Sequence, residues 1–301
     1  MIPPRRLVLS GGGIKVISLV GTIKVLEEKG ILKQIKEVCG VSAGAFLGLL
    51  IASGYPLKKI ERLVSDLEFG IIRNVTPEAF LEFPETFGID NGKNIIKFLE
   101  SIFRVALKID PQITFEQFVK LRRPGQVLFR CWATDLNTHA IREFSFTKTP
   151  SVKIIDALKA SMCLPLYFIP CVDPINGHLL TDGGIQGNIP LHHLSQNECQ
   201  ESLAIGFSKP IKIINAEPIN DLFEFINALL CSSSINTRNE EFLKKWSHKI
   251  IRISVDDYPS WNFEASREDK LMLLKKGIDA AHLWIQNKAC GSRIIRRRVS
   301  V

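Results

Sequence analysis

The chain has 301 residues, 46% of them apolar, enough to bury the core of one large α/β domain and too apolar for a disordered polypeptide. Seven Cys fall without paired or metal-like spacing, several of them in apolar runs (Cys39, Cys131, Cys163). This excludes a disulfide scaffold and points to reduced thiols in a cytoplasmic setting. The net charge is +8, and much of the excess sits in a basic tail (288–301), where Lys288, Arg293, Arg296, Arg297 and Arg298 occur with no acid among them.

A tail of that kind fits an anionic membrane surface or a solvated terminus, and nucleic acid is not the expected partner. The longest apolar stretch, Val41 to Ile51, contains Ser42 and is too short to cross a bilayer. The run behind Arg5 and Arg6 stops at three glycines, so no signal peptide is expected. The expectation is a cytoplasmic protein, at most peripheral to a membrane.

In chain order, Arg6-Leu7-Val8-Leu9 reads as a short buried strand ended by Gly11-Gly12-Gly13. Val16, Leu19, Val20, Ile23 and Leu26 then recur at helical spacing, with Gly30 as the stop. Glu37-Val38-Cys39 is a second strand entering Gly40-Val41-Ser42-Ala43-Gly44, and Ala45 to Ala52 is a nearly all-apolar helix. The stretch from Glu61 to Arg123 is expected to be mostly helical, with most of its many Phe in the core. Strands are expected at Val127 to Ala133, Leu179 to Thr181, Ser202 to Phe207 and Lys249 to Ile253. Ser266, with Asp269 three residues on, caps a last helix to about Gln286. The alternation of strand and helix without a linker predicts a single domain (1–301) built on a parallel sheet covered on both faces.

The chemistry starts at Gly40-Val41-Ser42-Ala43-Gly44, which fits G-x-S-x-G. Gly40 and Gly44 permit a tight strand-to-helix turn that lifts the Ser42 hydroxyl clear of the backbone, and the following helix aims its dipole at it. Gly11, Gly12 and Gly13 let backbone N–H groups converge on an anion. A phosphate loop would need further residues that Lys15 and Val16 do not supply. An oxyanion hole is the better reading, given the elbow.

Serine needs a base. The six His (His139, His178, His192, His193, His248, His282) do not sit in glycine-rich loops after strands. Only one β-α unit precedes Ser42, unlike the usual serine–histidine α/β hydrolase. Asp182, between a strand and Gly183-Gly184, is the stronger candidate, with Asp135 as a rival carboxylate.

Taken together, these segments resemble the patatin-like phospholipase family. Ser10 to Lys15 is similar to its oxyanion segment, Gly40 to Gly44 to its elbow, and Asp182-Gly183-Gly184 to its catalytic aspartate motif. Gly88 to Gly92, Ile113 to Phe115, Ala133 to Leu136, Ala160 to Pro165, Phe168 to Pro170, Asn188 and Pro190 agree with later blocks. The likeness runs from about residue 7 to 207. The family usually has Arg where Lys15 stands and Gly where Val16 stands, so Val16 is expected to crowd the oxyanion loop.

The resemblance implies a three-layer sandwich with a parallel sheet and helices on both faces, and a Ser42–Asp182 dyad needing neither His nor metal nor cofactor. The implied activity is acyl release from glycerophospholipids or other glycerolipids at a membrane surface. A thioesterase or small-ester esterase with the same dyad is the alternative within the class. A catalytically silent lipid-binding protein and a nucleotide-binding switch are the alternatives outside it.

Overall fold

The computed structural model describes residues 3–208, 225, 241–255, 258–260, 262 and 264–298, with side chains as far as residue 288. The chain opens with β1 (Arg6–Leu9), α1 (Val16–Glu28), β2 (Glu37–Val41) and α2 (Ala43–Ala52). It continues through α3 (Leu57–Asp66), α4 (Pro77–Thr86), β3 (Gly88–Asp90), α5 (Lys93–Ser101) and α6 (Phe115–Lys120). Next come β4 (Leu128–Asp135), β5 (Ala140–Ser145), α7 (Ile154–Ser161), β6 (Leu166–Phe168), β7 (Cys171–Val172) and β8 (Leu179–Asp182). The described part closes with α8 (Gln196–Gln200), β9 (Ser202–Phe207), β10 (Ile250–Ile253) and α9 (Arg267–Arg298). The expected cap is present: Ser266 Oγ accepts the Asp269 N–H at 3.1 Å while the Asp269 carboxylate accepts the Ser266 N–H at 2.9 Å. The helix it starts runs past Gln286 to Arg298.

The fold is α/β, with one eight-stranded sheet in which β10, β9, β1, β2 and β4 lie side by side and parallel. It is not parallel throughout, since β5 and β8 pair antiparallel with β4, and β7 antiparallel with β8. The reason lies in strand lengths. β2 pairs β4 only as far as Val41↔Trp132, where the chain turns away at the elbow. β5 fills one edge of β4 from Arg130 to Asp135, so Ala133–Asp135 would stand with open N–H and C=O groups on the edge β2 has left. β8 arrives from the opposite direction and takes that edge, pairing Asp182↔Ala133, Thr181↔Thr134 and Leu180↔Asp135. β2 and β8 therefore meet C-terminus to C-terminus beside consecutive residues of β4.

Alternate residues of the central strands feed two cores, as the period of a pleated strand requires. Leu7, Leu9, Val38, Cys131, Ala133, Leu203 and Ile205 join α1, α2 and α7 on one face. Val8, Cys39, Val41, Trp132 and Ala204 face a smaller cluster with Ile189, Leu191, Leu194 and Cys199 on the other. α9 lies against α1 at a close crossing, where Thr22 Oγ1 donates to the Gly277 carbonyl at 2.9 Å. A Cβ on Gly277 would meet the Ser18 carbonyl oxygen at 1.8 Å.

The stretch 61–123 is largely helical as expected, but it also holds β3, which pairs in parallel with β6 as a separate two-stranded sheet. The fully buried Asp90 anchors this unit, accepting from the Gly92 N–H at 2.8 Å, from the Asn74 N–H, and from Tyr167 Oη at 3.3 Å. The Phe of this stretch divide. Phe103, Phe115 and Phe118 are buried, Phe69, Phe83 and Phe98 partly so, and Phe80 and Phe87 project into solvent. The expectation that most are core does not extend to the last pair.

Candidate active site

Ser42 sits at the head of α2 with φ 54° and ψ −133°, a conformation a non-glycine residue holds only when its surroundings enforce it. Those surroundings are explicit. A Cβ on Gly40 would lie 2.4 Å from the Gly44 carbonyl oxygen, and one on Gly44 would lie 2.3 Å from the Ser10 carbonyl oxygen. The two glycines thus allow the elbow to fold on itself and against the end of β1. The Ser42 N–H donates to Ser161 Oγ at 3.0 Å, and Ser161 Oγ–H donates to the Trp132 carbonyl at 2.7 Å. Ser161, on α7, therefore ties the elbow to β4. Nothing in its spacing marks it for that task, and it was legible only as part of a segment resembling a family block.

Asp182 is brought to Ser42 by the end-on meeting of β8 and β2. Its Oδ1 accepts the Gly184 N–H at 2.7 Å. Its Oδ2 is buried with no hydrogen-bond partner of full geometry among the described residues, and the Ser42 hydroxyl is the side chain that favours its charged form. Burial outweighs both contacts and pushes the carboxyl up to about 6 from an ordinary 3.8. A carboxylate held near neutrality beside a strained serine is suited to taking a proton from it.

The glycine loop lies between these groups and a third segment. Gly11 N–H donates to the Asn188 carbonyl at 3.0 Å, so it is committed. The N–H groups of Gly12 and Gly13 have no acceptor among the described residues. Gly13 has φ 55°, and a Cβ there would meet the Ser260 carbonyl oxygen at 2.0 Å; a Cβ on Gly12 would meet the Phe207 ring at 2.4 Å. Asn188 also lies against the aspartate loop, since a Cβ on Gly184 would be 2.7 Å from Asn188 Oδ1. A cavity of about 50 Å³ opens at Ser42 between Gly13, Phe69, Ile72, Ile95, Met162 and Phe168. A larger groove, about 940 Å³, runs over α3 between Tyr55 and Ile71 and touches none of the reactive groups.

The remaining candidates lie elsewhere. Asp135 accepts from the Asn137 N–H at 2.9 Å and pairs with His178 at 2.8 Å; these contacts hold its pKa low despite desolvation. His192 and His193 pack beside each other, His193 against Trp132. Burial pushes His193 down to about 2 and lowers His192. No hydrogen bond joins a histidine to Ser42 or Asp182 among the described residues. Lys15 Nζ stands 5.8 Å from the centre of the Phe207 ring. Val16 is buried in the main core at the first turn of α1. In the basic tail, Lys288 Nζ donates to the His248 carbonyl at 2.7 Å, while the side chains of Arg293, Arg296, Arg297 and Arg298 lie outside the described residues. Among the described residues no three His, Cys, Asp or Glu gather into a metal-binding group, and no helix is long and apolar enough to cross a membrane.

YqhO of Bacillus subtilis (strain 168), described as uncharacterized, is 24% identical over 294 residues, covering 93% of this chain and 97% of its own. The "Probable lipid hydrolase 463L" of Invertebrate iridescent virus 6 is 27% identical over 191 residues, covering 62% of each chain. In structure, VipD from Legionella pneumophila superposes with a TM-score of 0.61 over 95% of this chain and 67% of its own, at 18% identity, a likeness of fold alone. The description of the patatin-like phospholipase family fits residues 7–195, a span that contains the glycine loop, the elbow and the aspartate loop, and with them the chain belongs to that family.

Proposed function

We propose that this protein is a lipid acyl hydrolase that releases fatty acid from glycerophospholipids or other glycerolipids with a Ser42–Asp182 dyad. The observation that carries the reading is the end-on meeting of β2 and β8, which sets the buried carboxylate of Asp182 beside the hydroxyl of a strained Ser42. Ser42 Oγ attacks the ester carbonyl as Asp182 accepts its proton. The Gly12 and Gly13 N–H groups hold the developing oxyanion, and Gly11, bound to Asn188, sets the loop. Asp182 returns the proton to the departing alcohol, then takes one from the water that attacks the acyl–Ser42 ester. Free fatty acid leaves and Ser42 is regenerated.

The chain acts as one domain in this reading, supported by the packing of α9 on α1. Lys288, Arg293, Arg296, Arg297 and Arg298 add contact with an anionic leaflet. A small-ester esterase or thioesterase with the same dyad is the second reading, and the cavity of only about 50 Å³ at Ser42 favours it. Fatty acid release by wild type and Ser42→Ala protein, from phospholipids, lysophospholipids, neutral glycerides and short-chain esters and thioesters, decides between them. Release from the lipids, lost in Ser42→Ala, supports the first reading. Turnover confined to short esters or thioesters supports the second, and no Ser42-dependent release from any of them overturns both.

A further inference from the structure

The unit between α3 and β3 carries large apolar side chains that the fold does not bury. No residue of α4 is buried, although the helix contains Phe80, Leu81, Phe83 and Pro84. Phe80 is 57% and Leu81 84% exposed, and they share with Pro84 one flank of the helix, away from Ala79 and Phe83, which lean on the core. The next residue past the helix is Phe87, in the left-handed region at φ 58° with its ring half exposed. Glycine is the residue that position favours, and a bulky aromatic held there without burial is strain the fold does not use.

The same unit reaches the reactive centre at its other end. In the turn from Phe69 to Ile72, Phe69 and Ile72 line the cavity at Ser42 while Ile71 points outward and walls the groove over α3. Asp90 knits this turn to β3 through the Asn74 N–H, and the Val75↔Asp90 bridge and the bond from Thr86 Oγ1 to the Gly88 carbonyl hold α4 against the same strand. Charge flanks it in both signs: Lys58, Lys59 and Arg62 line the groove together with Asp66 and Glu68, and Glu78, Glu82 and Glu85 follow the other side of α4.

We infer that Ile71, Phe80, Leu81 and Phe87 form a docking surface for a zwitterionic lipid surface, the interface from which an acyl chain passes between Phe69 and Ile72 to Ser42. This rests on the reading of Ser42 as a lipid acyl hydrolase. Exposed apolar area of this kind belongs at an interface. A surface bearing paired positive and negative headgroups matches flanks of both signs. A cavity as small as the one at Ser42 cannot take a whole diacyl lipid out of a membrane, so the substrate must be met where it lies.

The test uses full-length protein carrying Ser42→Ala, so that binding is read without turnover, and vesicles of pure phosphatidylcholine. Phe80→Ser with Leu81→Ser is expected to lower vesicle partitioning at least tenfold at 0.5 M salt, where contacts of the basic tail are screened. In the active enzyme the same pair of changes should lower hydrolysis of vesicle lipid and leave turnover of a soluble short-chain ester unchanged. Phe87→Gly relaxes the backbone while removing the ring, so it should weaken partitioning without loss of thermal stability; it serves if the double variant fails to fold. Equal partitioning of variants and parent would overturn the inference, as would binding only to vesicles containing phosphatidylserine. A parent dimer that the double change makes monomeric, with partitioning intact, would assign the surface to a second copy of the chain. Soluble-ester turnover that survives Ser42→Ala would overturn the hydrolase reading and leave the vesicle arm standing.

Discussion

Ser161 holds Ser42: its Oγ accepts the Ser42 N–H at 3.0 Å and passes its own proton to the Trp132 carbonyl at 2.7 Å. Ser161→Ala leaves a buried donor and a buried acceptor unpaired, at a cost of about 1–3 kcal/mol. It also frees the elbow to shift relative to Asp182. The expected result is a fall in kcat of about ten- to a hundredfold with KM little changed, measured beside the denaturant midpoint. Unaltered kcat in a destabilised protein would make Ser161 a packing residue only.

Ser42 is the one serine held at positive φ among the described residues, and a fluorophosphonate reagent is expected to form a single adduct there. Peptide mapping checks the site, and an adduct on Ser10 or Ser161 would reassign the chemistry. Activity should persist in a metal chelator, since Ser42 and Asp182 carry the proposed reaction between them.

Asp182→Asn separates activity from stability. The base must be charged to accept a proton, so kcat should rise with pH through an apparent pKa of about 6, and the Asn variant should lose about 10²–10⁴-fold. Stability runs the other way. The carboxyl titrates near 6 in the fold and at an ordinary 3.8 when unfolded, so its charged form penalises the folded state by on the order of 3 kcal/mol above pH 6. That penalty is recovered as pH falls from about 6 to about 4. Asp182→Asn should therefore raise the melting temperature at pH 8, with the gain fading by pH 4. A variant destabilised at pH 8 would contradict the burial argument. Single changes of His192 and His193 to Ala should leave the hydrolytic rate largely intact.

Val16→Gly is expected to harm the fold rather than tune the reaction. Val16 is buried among the main core residues at the start of α1, so the change opens a cavity and adds a helical glycine, about 2–4 kcal/mol together. Unchanged stability with altered acyl preference would restore the idea that this side chain faces the oxyanion loop.

The elements that define the site were legible because each depends on local residue chemistry. β1, β2 and the elbow follow from an apolar run ended by glycines, and the Asp182 loop from a strand ended by Gly183 and Gly184. What was not legible depends on partners remote in sequence. The antiparallel arrival of β8 is dictated by how far β4 outruns β2, and the strand Leu179–Asp182 looks the same in either direction. β3 is too short to show a period of two, and its parallel partner, β6, lies far along the chain. The commitment of the Gly11 N–H to Asn188, and the inward turn of Val16, are contacts that spacing does not encode. Phe80 and Phe87 have the composition of core residues, and only the fold reveals that they stand more than half exposed.

The position of β9 sets a limit on how the enzyme can be divided. β9 lies between β1 and the edge strand β10 of the parallel sheet, yet it falls beyond the segment 7–195 that carries the glycine loop, Ser42 and Asp182. A polypeptide ending at Ser195 would retain the reactive groups but leave β1 as a bare edge, its hydrogen-bonding row open to any passing strand. Such a fragment should self-associate rather than act. Catalytic sequence and foldable unit are different lengths of this chain.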